Sequence, residues 1–277
     1  MEMELSDKLA ALAHPKRLAL FRLLMRRYPD GVPAGEIAQA LEFKANTASA
    51  YLSALKKAGL ISQQRSGTSL MYTADLPGLR GMFDGLLSGC CRNRPDICTP
   101  VNSEAETMPT TERPFNVLFV CTGNSARSLL AEAILNSEGG GRFRAYSAGT
   151  QPSPGPRPEV MSLLRAKDID TSSLRSKDLD EFSAPDAPQM DFIFTVCDHA
   201  ANEECPAWPG QPMSAHWGLA DPVKTEGNDA ERRLAFQQAY GLLRNRIRTF
   251  AALPFETLDR LSLQHQVDDI GRLNSPD

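Results

Sequence analysis

The chain has 277 residues, 42% of them hydrophobic and 23% charged, with a formal net charge of −4. That length favours two domains over a single core, and the composition excludes a disordered or collagen-like chain. No apolar run reaches the roughly 18 residues of a membrane span, and the acidic start MEMELSDK lacks a signal-peptide pattern, so a cytoplasmic location without membrane contact is expected.

Charge is unevenly distributed. Residues 1–98 carry 13 Lys+Arg against 9 Asp+Glu, or +4, which leaves 17 against 25, or −8, for the rest. A basic first third is compatible with a polyanion-binding module. The six cysteines fall into two groups of three, Cys90, Cys91 and Cys98, then Cys121, Cys197 and Cys205. In a reducing compartment such groups point to ligands or catalysts rather than to structural disulfides.

In chain order, HPKRLALFRLLMRRY places Leu18, Leu20, Phe21, Leu23, Leu24 and Met25 on one broad apolar helical face. PAGEIAQAL predicts a second short helix that opens at a proline. After a turn at EFK, the helix ANTASAYLSALKKAGL should bury Ala48, Leu52 and Leu55. It would present Asn46, Ala50, Ser53 and Lys57 outward, with Thr47, Ser49 and Tyr51 at the flanks. A small, hydrogen-bonding first turn and a basic last turn suit entry into the DNA major groove. LISQQ, RSG and TSLMYTAD then read as a hairpin with a Ser-Gly turn, its Arg65 able to reach a phosphate.

This order of elements is that of a winged helix-turn-helix. LAHPKRLALFRLL and NTASAYLSALKKAGLI resemble the first long helix and the recognition helix of the ArsR/SmtB-like repressors, over about residues 5–88. The resemblance implies a homodimer that binds operator DNA through Asn46, Thr47, Ser49, Tyr51, Lys57 and Arg65, and leaves it when a soft ion binds. The cysteine pair that many members carry before the recognition helix is missing from AGEIAQAL; CCRNRPDIC follows the last helix instead. Cys90, Cys91 and Cys98 can wrap three thiolates around one soft ion, with Arg92 and Arg94 favouring the thiolate form. Three-coordinate As(III) fits that set as a regulatory ligand better than zinc, which takes a fourth ligand.

TPVNSEAETMPTTERP, residues 99–114, holds three prolines, five Thr/Ser and three Glu and almost nothing to bury, so it reads as a linker. As a flexible coil its ends would lie roughly 20 Å apart. The division expected is 1–98 for DNA binding and arsenite sensing, 99–114 for the linker, and 115–277 for a catalytic domain.

In the third part, NVLFV is an apolar run suited to a buried parallel strand, and SLLAEAIL has helical spacing. Between them Cys121 and Arg127 bound a Cys-x5-Arg loop. Such a loop at a helix N-terminus gathers backbone N–H groups on one point and makes an oxyanion site. The helix dipole and Arg127 are expected to lower the Cys121 pKa, Gly123 to permit the tight backbone, and Arg127 to grip two oxygens of a tetrahedral oxyanion. The loop is similar to that of the low-molecular-weight tyrosine phosphatases and of the arsenate reductases that share their fold. YSAGT (146–150) and LADP, with Asp221 as the general acid, belong to the same resemblance. It implies an α/β domain with a parallel sheet, and arsenate bound by Thr122, Gly123, Asn124, Ser125, Ala126, Arg127 and Ser128.

FIFTVCDHAANEEC adds Cys197 and Cys205, which a phosphatase does not need. Arsenate reductases of this fold have such a pair. The resemblance therefore implies a relay in which Cys121 attacks arsenic, Cys197 attacks Cys121, and Cys205 completes a disulfide. No cofactor bound for catalysis is expected. Thioredoxin is the expected external reductant, with glutaredoxin and a small thiol as the alternative. Ala126 stands where certain reductases have a cysteine, and the Cys197–Cys205 spacing is one residue longer than in some members. A regular helix over 197–205 would put the two Cα atoms about 12 Å apart, beyond the roughly 7 Å of a disulfide, so that segment should rearrange on oxidation. His199 and His216 read as structural. AERRLAFQQAYGLLRNRIRTFAAL is expected to bury Leu234, Ala235, Ala239, Leu242, Leu243 and Phe250, and 255–272 reads as a final amphipathic helix of no assigned role. Two other readings stay open: a tyrosine phosphatase fused to a DNA-binding regulator, and a regulator that senses an oxyanion or redox state without turnover. A zinc-responsive repressor is disfavoured, for want of a His/Asp cluster near the three cysteines.

Overall fold

The computed structural model describes residues 2–90, 113–184, 186–203, 208 and 210–273. The chain divides into two compact units, Met1–Glu106 and Thr107–Asp277.

In the first unit, α1 (Glu2–Leu12) and α2 (Pro15–Arg27) precede a two-residue strand β1 (Val32–Pro33), α3 (Ala34–Ala40) and α4 (Ala45–Lys57). The hairpin β2 (Ile61–Ser66) and β3 (Ser69–Ala74) follows, then α5 (Leu76–Gly85) and a π-helical turn, Leu86–Cys90. Leu20, Leu23 and Leu24 of α2, Ile37 of α3 and Leu52 and Leu55 of α4 share one core with Leu60, Ile61 and Tyr72. This is the apolar stripe that helical spacing predicts. Asp75 caps α5 by accepting from the Gly78 N–H at 3.0 Å.

Two details differ from the sequence reading. β1 pairs antiparallel with β3, Val32 opposite Tyr72, which makes a three-stranded sheet in the order β1-β3-β2. The hairpin turn is Gly67–Thr68, because Ser66 still pairs with Ser69; Gly67 supplies the positive φ (+57°) that the two-residue turn needs.

The second unit is an α/β fold. Its elements are β4 (Phe115–Cys121), α6 (Arg127–Glu138), β5 (Phe143–Gly149), α7 (Pro158–Arg165), β6 (Phe192–Thr195), α8 (Asp198–Asn202), β7 (Met213–His216), α9 (Asp229–Ala251) and α10 (Arg260–Arg272). Short 3-10 turns lie at Leu179–Phe182 and Pro222–Lys224. The strands are all parallel, in the order β5-β4-β6-β7. β5 adds to one side of β4 and β6 to the other, so the loop after β4 lies at a topological switch point, where open α/β sheets bind ligands. β4 is buried along both faces, and residues 128–135 of α6 are buried all round, since α6 packs against β4, β5 and α9.

Aromatic rings fill much of this core. Phe194 stacks on Trp217 with centroids 4.1 Å apart, and Phe250 and Phe255 meet Phe143 and Phe192 edge-on or tilted. Truncating such a ring costs about 3–5 kcal/mol.

The buried stripe of α9 is Phe236, Ala239, Tyr240, Leu243, Ile247 and Phe250. Leu234, expected inside, is 52% exposed. It precedes Phe236 by two positions, about 200° round the helix, and so faces away from the sheet. The final helix begins at Arg260 rather than 255, because Pro254–Leu258 form a turn and Asp259 caps the helix through the Ser262 N–H at 2.9 Å. No helix among the described residues is long and apolar enough to cross a membrane.

Candidate active site

The site is built on residues 121–128. Cys121 ends β4, Arg127 opens α6, and five residues join them. The carbonyls of Cys121, Thr122, Gly123 and Ser125 accept from the N–H groups of Thr150, Gln151, Ser153 and Arg157, and that of Asn124 accepts from the Ser176 hydroxyl. With five successive carbonyls turned toward 150–157 and Ser176, the loop's N–H groups are left to the opposite side. The Asn124 N–H already points to Cys121 Sγ at 3.2 Å. Ala126 gives α6 no side-chain cap, so the N–H groups of its first turn have no capping side chain. A loop of this kind can present N–H groups to an anion beside Cys121 Sγ.

Asn124, not Gly123, carries the left-handed backbone (φ +40°). Its side chain secures that conformation: Oδ1 accepts from the Lys177 N–H (2.7 Å), and Nδ2 donates to Ser128 Oγ (2.8 Å) and Ser147 Oγ (2.7 Å). Because a backbone N–H can only donate, the orientation of the amide is fixed. Ser128 Oγ therefore has its own proton to direct at Cys121 Sγ, 2.9 Å away. Ser147 in turn donates to Glu132, which is ion-paired with Lys177 at 2.9 Å, both side chains being buried. Two glycines leave no room for a side chain: a Cβ at Gly149 would lie 2.5 Å from the Thr122 carbonyl oxygen, and one at Gly123 would lie 2.8 Å from Ser153 Oγ.

The Cys121 thiol differs from expectation. Its burial pushes the pKa up, and the proximity of Cys197 adds to this. Ser128 is the strongest opposing influence, ahead of the Asn124 N–H and Arg127. Removing a thiolate from water outweighs the neighbouring donors. Burial likewise raises the Glu132 carboxyl against the pull of Lys177.

Arg127 donates through Nη1 to the Leu219 carbonyl and through Nη2 to Asp221 Oδ2, both at 2.9 Å. These bonds use two of the five N–H donors of a guanidinium. Asp221 also caps the Pro222–Lys224 turn, its Oδ1 accepting from the Val223 N–H at 3.2 Å. Cys197, buried, follows β6 and caps α8, Sγ accepting from the Ala200 N–H at 3.4 Å; Thr122 Oγ1 is 3.5 Å from the same sulfur. Thus the loop stands next to a second thiol. α8 stops at Asn202, with Glu203 extended, and Cys205 lies outside the described residues. His216 is buried and engaged on both ring nitrogens, with Thr195 Oγ1 at 2.8 Å and Asp198 Oδ1 at 3.0 Å; His199 is exposed and pairs with Glu203.

In the first unit, Asn46, Ser49 and Lys57 are exposed on α4, Thr47 and Tyr51 are half-buried, and Arg65 is exposed on β2. The Tyr51 ring packs between His14 and Phe43. Cys90 is exposed, and Cys91 and Cys98 lie outside the described residues.

Sequence reasoning missed Glu132, Ser147, Ser176 and Lys177. Ser147 and Gly149 sit in the YSAGT motif, which carried a signal; Ser176 and Lys177, fifty residues beyond the loop, carried none.

A family model described as low molecular weight phosphotyrosine protein phosphatase matches residues 116–262, and a helix-turn-helix domain model matches residues 12–64. The arsenate reductase of Halalkalibacterium halodurans is 36% identical over 135 residues, which cover 49% of this chain and 94% of that protein. That of Bacillus subtilis is 33% identical over 135 residues, with the same coverage of each. Among solved structures, an arsenate reductase from Archaeoglobus fulgidus is similar at 25% identity and a TM-score of 0.37, over 48% of this chain and 98% of that one.

Proposed function

Because the chain belongs to the low molecular weight phosphotyrosine protein phosphatase family, and relatives covered almost end to end are arsenate reductases, we propose that it is a bifunctional arsenic-resistance protein: an arsenate reductase fused to an arsenite-responsive repressor. The observation that carries the reductase reading is Cys197. It is a buried thiol 3.5 Å from Thr122 of the oxyanion loop, and hydrolysis of a phosphate ester has no use for it. A reductase must export two electrons, which takes more than one thiol.

Arsenate enters the loop of residues 122–128, held by its N–H groups, by Arg127 and by the Ser128 hydroxyl. A buried neutral thiol admits a dianion without like-charge repulsion, and the Cys121 proton passes to the incoming oxyanion. The Cys121 thiolate attacks arsenic(V); an S–As bond forms and an As–O bond breaks, with Asp221 protonating the oxygen that leaves as water. Cys197 then attacks the Cys121 sulfur, its proton passing to the departing arsenite. The S–As electron pair returns to arsenic, arsenite departs, and a Cys121–Cys197 disulfide remains. Cys205 displaces Cys121 from it, and the Cys197–Cys205 disulfide is reduced by an external dithiol of the thioredoxin type.

The helix-turn-helix unit supplies the regulator. Asn46, Thr47, Ser49 and Lys57 of α4, with Tyr51 at the flank, face the major groove, and Arg65 meets a phosphate. The unit acts as a homodimer, and arsenite bound by Cys90, Cys91 and Cys98 releases the operator. Fusion places the source of arsenite on the same chain as its sensor.

The test of the reductase is thioredoxin-coupled NADPH consumption with arsenate, beside hydrolysis of an aryl phosphate. Sustained arsenate-dependent turnover that disappears in Cys197→Ser is expected. Fast phosphate release indifferent to Cys197, without arsenate turnover, would make the protein a phosphatase. For the sensor, arsenite should dissociate an operator fragment from the wild type and not from Cys90→Ser.

A further inference from the structure

The C-terminal helix α10 lies almost entirely beyond the family match, which ends at residue 262. Its apolar residues Leu263, Val267 and Ile270 are buried, and Gln264 Nε2 donates to the Ser214 carbonyl on the edge strand β7 at 2.8 Å. Covering an exposed sheet edge would by itself explain such a helix. Other contacts of the helix fall on His216 and Trp217, which lead from β7 toward the Asp221 loop.

The Trp217 indole N–H donates to the Val267 carbonyl of α10 at 2.9 Å. Gly271 sits so close that a Cβ there would be 2.5 Å from the His216 carbonyl oxygen and 2.9 Å from Trp217 Cδ1. Arg246 of α9, fully buried, donates from Nη1 to the carbonyls of Trp217 (2.9 Å) and Gly218 (3.0 Å), and from Nε to the Leu273 carbonyl just past α10 (3.3 Å). Burying a guanidinium is costly unless its donors are used, and here they fix backbone carbonyls. The next residue, Leu219, presents its carbonyl to Arg127, and Asp221 follows two positions later. One continuous set of bonds therefore runs from α10 through Arg246 and Trp217 to the segment that faces the oxyanion loop.

We propose that Arg246 and α10 are positioning elements for the leaving-group acid, fixing the carbonyls of Trp217 and Gly218 so that Asp221 stands at the mouth of the site. The inference rests on the reading of Asp221 as that acid. General acid catalysis contributes about 10²–10⁴-fold, and a misplacement of about 1 Å can cost on the order of 10²-fold. Loosening the support should therefore act on the chemical step and not on capture of the oxyanion.

The experiment is a double-mutant cycle on the full chain. The pre-reduced protein is mixed with arsenate, and arsenite release in the first turnover is followed as a function of arsenate concentration. Arg246→Lys is expected to lower the saturating rate by roughly 10-fold, within the range for misplaced catalytic groups, at an unchanged half-saturating concentration. Trp217→Phe keeps an aromatic ring beside Phe194 while removing the donor to Val267 together with part of the indole; it should shift the rate in the same direction and serves if Arg246→Lys does not fold. In an Asp221→Asn background neither substitution should slow the reaction further. Equal slowing in both backgrounds, or no slowing at all, would overturn the proposal. An Asp221→Asn protein as fast as wild type would sink the acid assignment and this inference together, and that arm reads the former separately.

Discussion

Arg127 and Asp221 meet at 2.9 Å although 94 residues separate them in the chain, and the same guanidinium holds the Leu219 carbonyl. In the proposed mechanism, the residue that grips the oxyanion is thus also the one that tethers the acid. Arg127→Lys should raise the half-saturating arsenate concentration and lower the maximal rate together, because an ammonium cannot reproduce the planar fork. Asp221→Asn should lower the maximal rate by about 10²-fold or more with little effect on half-saturation. Steady-state kinetics of the two variants side by side check this; an Arg127→Lys protein altered in only one parameter would contradict the dual role.

Ser128 is the strongest of the neighbours that lower the pKa of a thiol raised by burial. Ser128→Ala should move the pH profile of Cys121 alkylation to higher pH, since the thiolate loses its 2.9 Å hydroxyl partner. The rate of iodoacetamide labelling against pH, with Cys197→Ser as background, reads this shift. A profile displaced to lower pH would be incompatible with the hydroxyl acting as donor.

Lys177 and Glu132 form a buried pair beneath the loop. Lys177→Met leaves a buried carboxylate without its cation and should cost about 3–5 kcal/mol, measured as a lower denaturation midpoint of the second unit. Glu132→Gln in the same chain should recover most of that loss, because it removes the orphaned charge.

The Asp268 carboxyl, on α10, is pushed up to about 6 by burial, against the opposing bond from Gln264. Its folded value exceeds its unfolded one, so the stability linked to it is complete below about pH 4. It is lost as pH rises through about 6 and is constant above that. Asp268→Asn should therefore stabilise the protein at pH 7.5 by about 1 kcal/mol, a figure reduced for solvent screening of a partly exposed group. The gain should vanish at pH 4, as thermal unfolding at both pH values would show.

The Cys-x5-Arg loop is legible in sequence because strand, loop and helix are contiguous and each has a local signal. What holds the loop is not. Ser176 and Lys177 reach Asn124 across about fifty residues of chain, and no periodicity records that approach. Nor does the sequence mark Asn124, whose amide makes three bonds that a glycine could not, as the left-handed residue of the loop. The direction of the Cys121 shift depends on how deeply the sulfur is buried, which only the packing of β4 and α6 decides. In α9 the expected Ala239, Leu243 and Phe250 are buried, but Leu234, expected inside, is exposed. The two-residue strand Val32–Pro33 is too short for any alternating pattern to mark it.

The entry of the chain into the second unit is fastened at one carboxylate. Arg113 grips Asp191 with both Nη atoms, at 2.8 and 2.9 Å, and the Asn116 N–H donates to the same carboxylate. Asp191 immediately precedes β6, the strand that leads to Cys197. The clamp therefore ties Arg113, just before β4, and Asn116 of β4 itself to the residue that precedes β6. The two strands that run to Cys121 and toward Cys197 thus share one anchor at their starts.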